Sequence, residues 1–348
     1  MARASHITVV GLVGLIACGG GKPAVPATAP AAPATVSERI LAMLPQGAQV
    51  VVELDLARLR ANPVVGDVIT RALAERTADL SAGVPASPLA AADQVVLAAY
   101  GVGTAQAATL TVLAAAHDIP GATRIADGFY AVGPPDWVEQ AQQRVALATT
   151  GEARFAITAA PELLALRRHA MPASAPGAAL RLTAQLPFDA RIALARQTGL
   201  DAAPAQVSAW ADVADDLALI VDCDAADPGN QPARGASDAP RRLEATLRGA
   251  LAAVSEEPTV RALGLLPSLA GARLVARGSW VRAIIAIGPA HLQRVVDRAG
   301  ALLRAAEAAS PPPPPAAATP SPAPTQPASP SPTPASPPAA GPRGDHAS

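Results

Sequence analysis

Short apolar runs with the character of β-strands recur along the middle of this chain. The runs Val50–Asp55, Gln94–Tyr100 and 108–115 are rich in apolar and β-branched residues, a composition that favours strands. The loop between the last two runs is too short for a helical crossover, and so is the turn between 272–276 and Trp280–Ile287. Each of these two pairs is therefore predicted to be an antiparallel hairpin.

Stretches of helical periodicity separate the strand-like runs, with apolar residues three and four positions apart. Helices are predicted at 37–44, 65–80, 137–147, 161–169, 187–198, 241–254 and 291–309. Ser37, followed by Glu38, is a suitable amino-terminal cap for the first helix, and Gly199 is a suitable end for the fifth. Helices beside antiparallel strands predict an α+β fold, with helices packed on one face of each sheet.

Two parts of the chain follow the same pattern, which indicates an internal repeat. A strand-like run ends at Gly-Pro and a helical pattern begins in both 131–138 and 286–293. Val50–Asp55 resembles Leu180–Gln185 in the same way, but at a shorter offset, so the second copy is predicted to carry an insertion. The loop 224–239, rich in Asp, Pro, Gly, Asn and Ser, and the helix after it are the predicted insertion.

The ends of the chain lack this organisation. Residues 310–348 are mainly proline, alanine, serine and threonine, a composition that cannot bury enough apolar surface to fold and that predicts a disordered tail. We therefore predict one α+β module at 37–172 and a second at 173–309, the latter with the inserted loop and helix. Residues 18–36, rich in proline, alanine and glycine, are predicted to be a flexible tether.

The first residues indicate export from the cytoplasm. Arg3 and the apolar run 7–17 are typical of a secretory signal, and the run is too short to cross a bilayer, which takes about 20 residues. The sequence Leu-Ile-Ala-Cys at 15–18 resembles the lipobox of bacterial lipoproteins. This resemblance implies that 1–17 are removed and that Cys18 carries diacylglycerol and an amino-terminal acyl chain such as palmitate. The alternative is an ordinary cleaved signal peptide in which Cys18 is incidental.

Lipidation would anchor the chain in the cell envelope. Gly19 is not the aspartate that resembles an inner-membrane retention signal, so the outer membrane, facing the periplasm, is favoured over the inner membrane. A second resemblance rests on Leu-Pro at 44–45, Val50–Asp55 and Leu-Arg at 59–60. This pattern is similar to bacterial envelope lipoproteins with duplicated α+β modules, and it implies no particular chemistry.

Composition narrows the classes of function. The net charge is -1 and Lys22 is the only lysine, so the chain offers no basic field to attract nucleic acid. Aromatic residues make up 2% of the sequence, which disfavours stacking platforms for sugars or single-stranded nucleic acid. The uncharged stretch 95–116 could suggest a membrane span, but turn formers at 101–104 divide it. It is predicted to form two buried strands.

Cys223 lies within the strand-like run Leu217–Asp224 and is predicted to be a buried apolar side chain. Beside it, Asp222, Asp224 and Asp227 leave a strand and enter a glycine-containing turn, where carboxylate oxygens can converge on Ca²⁺. Their spacing departs from that of an EF-hand loop, and a solvated acidic turn is the alternative.

Enzyme motifs are not found along the sequence: there is no Gly-x-Ser-x-Gly elbow, phosphate loop or His-Glu-x-x-His helix. No catalytic residue and no cofactor are therefore predicted. An enzyme would need polar side chains that converge in a cleft, and the first acids to inspect are Asp55, Asp136, Asp215 and Asp216.

Two functions remain from these observations. The first is a lipid-anchored, non-catalytic interaction or scaffold protein that contacts the membrane through Cys18 and another envelope protein through its folded part. The alternative is a periplasmic carrier for an apolar, lipid-like ligand. A large apolar cavity between sheet and helices would favour the carrier, whereas a filled core would favour the interaction protein.

Overall fold

A computed structural model of the chain describes residues 35–74, 86–149, 161–172, 177–198, 203–225 and 239–309. These residues form helices around an antiparallel sheet of ten strands, which confirms the predicted α+β fold class. The predicted signal peptide, 1–17, and the predicted disordered tail, 310–348, lie outside the described residues, as does nearly all of the predicted tether.

The strands and helices have the following bounds. The strands are β1 (Val50–Asp55), β2 (Gln94–Tyr100), β3 (Ala108–Ala114), β4 (Thr123–Ala126), β5 (Phe129–Val132), β6 (Leu180–Gln185), β7 (Gln206–Val213), β8 (Leu217–Asp224), β9 (Arg273–Arg277) and β10 (Trp280–Ile287). The helices are α1 (Val36–Met43), α2 (Leu56–Ala61), α3 (Gly66–Ala74), α4 (Ala86–Ala91), α5 (Pro135–Thr149), α6 (Pro161–Arg167), α7 (Phe188–Thr198), α8 (Ala239–Ser255), α9 (Pro258–Leu263), α10 (Leu266–Ala270) and α11 (Pro289–Ala309).

The amino-terminal cap of α1 is Thr35, so the prediction of Ser37 for this role is wrong. The Thr35 hydroxyl accepts the amide of Glu38 at 3.2 Å, and the Glu38 carboxylate accepts the amide of Thr35 at 3.0 Å. This reciprocal pair satisfies two amides of the first turn. The Ser37 hydroxyl instead donates to the side chain of Gln94 on β2 at 3.2 Å, and so joins α1 to the sheet.

The repeated strand-to-helix step is present in both halves. β5 ends two residues before proline 134 and leads into α5, and β10 ends at Ile287 and leads into α11 at Pro289. Proline suits a first helical turn because its missing N–H would have no partner there. Both predicted hairpins, β2 with β3 and β9 with β10, are also confirmed.

The strand order of the sheet is the same in both halves of the chain. The complete order is β4-β5-β3-β2-β1-β6-β7-β8-β10-β9, with β1 and β6 paired antiparallel at the centre. Counted from the centre outwards, β1, β2, β3, β5 and β4 correspond to β6, β7, β8, β10 and β9. The helices α8 to α10 stand between β8 and β9, where the first half passes from β3 to β4 without a helix. The two predicted modules thus repeat one topology and share one sheet, and the inserted helix is where it was predicted.

Contacts beyond the sheet also join the two halves. The side-chain amide of Asn62 donates to the carbonyl oxygens of Val213 and Ala214 at 3.0 and 2.8 Å. Gly103, in the loop after β2, has a φ of +81°, and an added Cβ would lie 2.7 Å from the Cα of Ala190 on α7. Glycine is therefore required there by both backbone conformation and close packing. The described residues up to Glu307 belong to one compact unit.

The two faces of the sheet are distinguished here by the side chains of β1. Face A carries Val50, Val52 and Leu54, and face B carries Val51 and Glu53. Face A is covered by α2 and α4 in the first half and by α8 and α10 in the second. The apolar helical side chains in these layers include Leu56, Leu59, Leu89, Leu243, Leu247, Leu251 and Leu269.

Face B of the first half has its own helical layer, in which α1 packs on β2 and β3 and α5 packs on β4, while α6 lies over β6 and β7 of the second half. Helices thus lie on both faces of this half, a detail that differs from the predicted single face. The cause is visible in β2, where the consecutive residues Val95 and Val96 point to opposite faces and are both fully buried. A strand that is apolar on both faces needs a covering layer on each.

The uncharged stretch 95–116 forms β2 and β3, as predicted. Within the described part of the chain, every helix is too short or too polar to span a lipid bilayer.

Cys223 is fully buried in β8, which confirms its prediction as a core residue. Burial raises the pKa of its thiol well above the usual range, with the charges of Asp222 and Asp224 acting in the same direction. We expect a thiol reagent such as dithionitrobenzoate to leave Cys223 unmodified in the native protein and to modify it once urea unfolds the chain. Rapid modification of this residue in the native state would contradict the buried position.

Candidate functional site

Face B changes character between the two halves of the sheet. In the first half its buried residues are apolar except for Glu53 on β1, but along β6, β7, β8 and β10 it also carries buried polar and charged side chains. Thr183 lies opposite Ser208, and Ser208 lies opposite Asp222. Asp222 in turn lies opposite Arg282. We call these residues, together with Glu53, Arg167, His169 and Arg181, the face-B polar cluster.

The first ion pair of this cluster joins α6 to the central strand. Arg167, the last residue of α6, donates from Nε to Oε1 of Glu53 at 2.6 Å and from Nη2 to Oε2 at 2.8 Å. Both side chains are almost completely buried, with 8% and 6% of their surface exposed. Burial alone would lower the pKa of Arg167, but the hydrogen bonds and charge of Glu53 raise it overall. Each charge thus depends on the other for its solvation.

Two further charges surround this pair. Glu38 of α1 lies 3.7 Å from Arg167, and a backbone hydrogen bond from Thr35 is the main cause of the lowered pKa of Glu38. Arg181 lies opposite Glu53 on β6, where burial and then the charge of Arg167 lower its pKa. The pair therefore sits within a small network that involves α1, α6 and the two central strands.

The second ion pair lies further along face B. Asp222 is fully buried on β8, and Arg282 of β10 donates to both of its oxygens, at 3.0 and 2.9 Å. Nδ1 of His169, in the segment after α6, lies 2.6 Å from Oδ2 of the same carboxylate. Burial alone would raise the pKa of Asp222, but the hydrogen bonds from His169 and Arg282 lower it overall. The ionised carboxylate ties the segment after α6 to the second half of the sheet.

His169 is the member of the cluster that reaches solvent, with 25% of its side chain exposed. An ionised carboxylate can only accept, so Nδ1 of His169 is assigned as the donor. The ring stacks on Trp280, with centroids 4.0 Å apart. Ser208 is fully buried, and its hydroxyl accepts the amide of Ala170 at 3.3 Å, so it is not positioned as a nucleophile for this ring.

The predicted calcium ligands are only partly described. The two oxygens of Asp222 face Arg282 and His169, and a guanidinium group at this position competes with a metal ion for the carboxylate. Asp224 lies two residues further on the same face of β8, and Asp227 lies outside the described residues. Among the described residues, no group of three His, Cys, Asp or Glu side chains could hold a metal ion. The three-residue site itself stays a prediction.

The acids proposed for inspection do not converge. Asp55 caps α2 by accepting the amide of Arg58 at 2.9 Å, and Asp136 lies in the first turn of α5. Asp215 and Asp216 are exposed in the turn between β7 and β8.

A second histidine also contacts a serine. Nε2 of His291 lies 2.8 Å from the carbonyl oxygen of Gly264 and therefore donates to it, and Nδ1 accepts from the Ser268 hydroxyl at 3.1 Å. Both ring nitrogens are thus engaged, and Ser268 is 7% exposed. The pair connects the short helix α10 to the start of α11, which accounts for its geometry without a catalytic role.

Sequence reasoning missed Glu53, Arg167, His169 and Arg282. One signal was present for Glu53, because it is a carboxylate flanked by apolar residues in the middle of a strand-like run. Such a carboxylate either lies on a solvent-exposed face of the sheet or is paired with an opposite charge in the interior. The identity of the pairing residue is not local information, since Arg167 is 114 positions away.

A small cavity adjoins the first ion pair. Its volume is about 20 Å³, and it is lined by Leu41, Val51, Glu53, Leu163, Leu164, Arg167 and Thr183. This volume holds roughly one water molecule. The cavity therefore cannot hold an acyl chain, and the packing around it resembles a filled core.

Comparisons with known proteins leave the family open. No family model and no curated protein sequence matches the chain. Among solved structures, the crystal structure of TP0453 in crystal form I has a TM-score of 0.35 and 9% sequence identity, and the match covers 74% of this chain and 96% of that chain. A likeness this weak supports no statement about fold or function.

Proposed function

We propose that this chain is a lipid-anchored protein of the bacterial cell envelope, attached through Cys18 to the outer membrane and facing the periplasm. The observation that carries the proposal is the sequence Leu-Ile-Ala-Cys at 15–18, directly after an apolar run of signal-peptide length. Residues 18–36 have the composition of a tether, and the first described helix begins at Val36. The folded part would thus start where the tether composition ends.

The role proposed for the folded part is that of a non-catalytic interaction module. Both faces of the first half and face A of the second are filled with packed side chains, and the cavity beside Glu53 holds about one water molecule. The polar cluster on face B is engaged in internal ion pairs. These features favour an interaction protein over the alternative, a carrier for an apolar ligand, which needs an enclosed apolar volume of about 300 Å³ or more.

The anchoring proposal is tested by the mass of the mature amino terminus and by fractionation of cells that express the full chain. We expect the native protein to begin at an acylated Cys18 and to sediment with outer membranes. Cys18→Ser should move it to the soluble fraction, because each buried methylene contributes about 0.8 kcal/mol to membrane binding.

Cys223→Ser is the matched control, since it removes the buried thiol and should leave acylation and fractionation unchanged. An unmodified thiol at Cys18, or a native protein that is freely soluble, would refute the anchoring. Lipid that stays bound to a purified Cys18→Ser protein at a fixed ratio in native mass spectrometry would favour the carrier instead.

A further inference from the structure

Among the described strands, β9 forms one edge of the sheet and pairs only with β10. Its residues Leu274 and Ala276 pack into the core on face A. The alternate residues Arg273, Val275 and Arg277 are exposed on face B. Edge strands present a row of backbone groups to any other extended chain. Within the part of the chain that the structure describes, no backbone hydrogen bond outside the β10 ladder involves β9.

Two arginines frame an apolar strip at this edge. Cross-strand register places Arg273 beside Ile284 and Arg277 beside Trp280, and Val275 between them is 37% exposed. Neither Arg273 nor Arg277 makes an ion pair or hydrogen bond with another described residue. The described part of β9 therefore offers two uncompensated positive charges with a partly exposed apolar side chain at the midpoint.

A second copy of the same strand does not suit this edge. In an antiparallel self-pair centred on Val275, Arg273 of one copy would lie opposite Arg277 of the other. Like charges directly opposite one another destabilise a strand pair. A membrane surface suits it equally poorly, because recognition of anionic lipid typically uses clusters of about four to eight cations.

We infer that the β9 edge binds an extended acidic segment of a partner protein, which adds to the sheet as a further strand. Two carboxylates four residues apart in that segment would lie opposite Arg273 and Arg277, and an apolar side chain would lie opposite Val275. The spacing follows from strand geometry, since four residues of a strand span about 13 Å on one face. This inference rests on the proposed interaction function and names the surface that would carry it.

The inference is tested with two synthetic heptapeptides and the full chain in a mild non-ionic detergent. The acidic peptide is Thr-Glu-Thr-Val-Thr-Glu-Thr, which has the same sequence in either strand direction, and the neutral peptide has glutamine in place of glutamate. We expect the acidic peptide to bind roughly tenfold more tightly than the neutral one in fluorescence anisotropy, since two opposite-charge cross-strand pairs form. The double variant R273E/R277E should lose this preference.

The matched control is R241E/R242E, which makes the same charge change at two exposed residues at the start of α8. It should keep the preference. Equal binding of the two peptides, or an equal loss in both double variants, would overturn the inference.

Two other occupants of the β9 edge, a membrane and a second copy of the chain, are tested with the same double variant. Binding of the Cys18→Ser protein to vesicles of phosphatidylcholine and phosphatidylglycerol that the added substitutions R273E/R277E abolish, without peptide binding, would overturn the inference in favour of a membrane. A dimer in sedimentation that the same variant dissociates would overturn it in favour of a second copy. Peptide binding does not depend on acylation of Cys18, so this inference and the anchoring proposal can fail separately.

Discussion

Replacing Arg167 with methionine is expected to lower the free energy of unfolding by about 3–5 kcal/mol, because it leaves the carboxylate of Glu53 buried without a counter-charge. The Glu53 side chain is 6% exposed, and both of its oxygens accept from Arg167 in the native protein. Water cannot fully replace the hydrogen bonds that the guanidinium donates to Glu53, since the adjoining cavity holds roughly one water molecule. The measurement is a urea titration of the full chain followed by tryptophan fluorescence.

The double variant with Glu53→Leu and Arg167→Met separates the charge from the packing. Removing both charges is expected to recover most of the lost stability, because a buried ion pair replaced by apolar side chains of similar volume is often neutral. The matched control is Arg58→Met, which breaks a two-point ion pair with Asp212 at an exposed site. It should cost less than about 1 kcal/mol. A loss for Arg167→Met no larger than that of the control would refute the account of this pair.

Local pattern was sufficient to predict most of the secondary structure. The bounds of β1, β2, β8 and β10 match the strand-like runs, because each run combines β-branched residues with flanking turn formers. The strand β7, Gln206–Val213, was missed, since its alternation of small apolar and polar residues does not differ clearly from that of a loop. The short helix α2, Leu56–Ala61, was also missed, because one and a half turns give too few residues for a periodic pattern.

The join between the two halves could not be predicted in the same way. Two modules with separate sheets and two modules that share a sheet require the same local patterns, and only the pairing of β1 with β6 distinguishes them. That pairing places the half-buried Val52 beside the buried Leu182, at positions far apart in sequence. The internal match of Val50–Asp55 with Leu180–Gln185 did identify the two strands that meet. That these two strands pair with each other at the centre of one sheet is a property of the tertiary structure, which the local match does not contain.

The polar cluster was beyond sequence reasoning for a related reason. Asp222 was selected from the sequence as an oxygen ligand because it is the first of three carboxylates that leave a strand and enter a glycine-containing turn. The structure shows its side chain inside, on the face opposite to that of Cys223, where it accepts from Arg282 and His169. These partners lie 60 and 53 positions away in sequence. A carboxylate on a strand looks the same in sequence whether it binds a metal ion or the guanidinium group of an arginine.

Replacing Asp222 with asparagine is expected to cost about 2–4 kcal/mol at neutral pH, because a fully buried carboxylate accepts charged hydrogen bonds from two groups. Asparagine keeps the volume but loses the charge. The expected loss is smaller than that for Arg167→Met, since Arg282 and His169 are partly exposed and can be solvated once the carboxylate is gone. Asp215→Asn is the control, because this exposed acid lies in the turn before β8.

The pH dependence gives this prediction a second measurement. The pKa of Asp222 is lowered in the folded protein by its hydrogen bonds to His169 and Arg282, which outweigh the effect of burial. Its contribution to stability is therefore complete above the ordinary aspartate pKa of about 3.9 and is lost as the pH falls through the lower folded value. The stability difference between the native protein and Asp222→Asn should be largest near neutrality and should shrink towards strong acid. A difference that stays constant over that range would show that Asp222 acts by packing and not by charge.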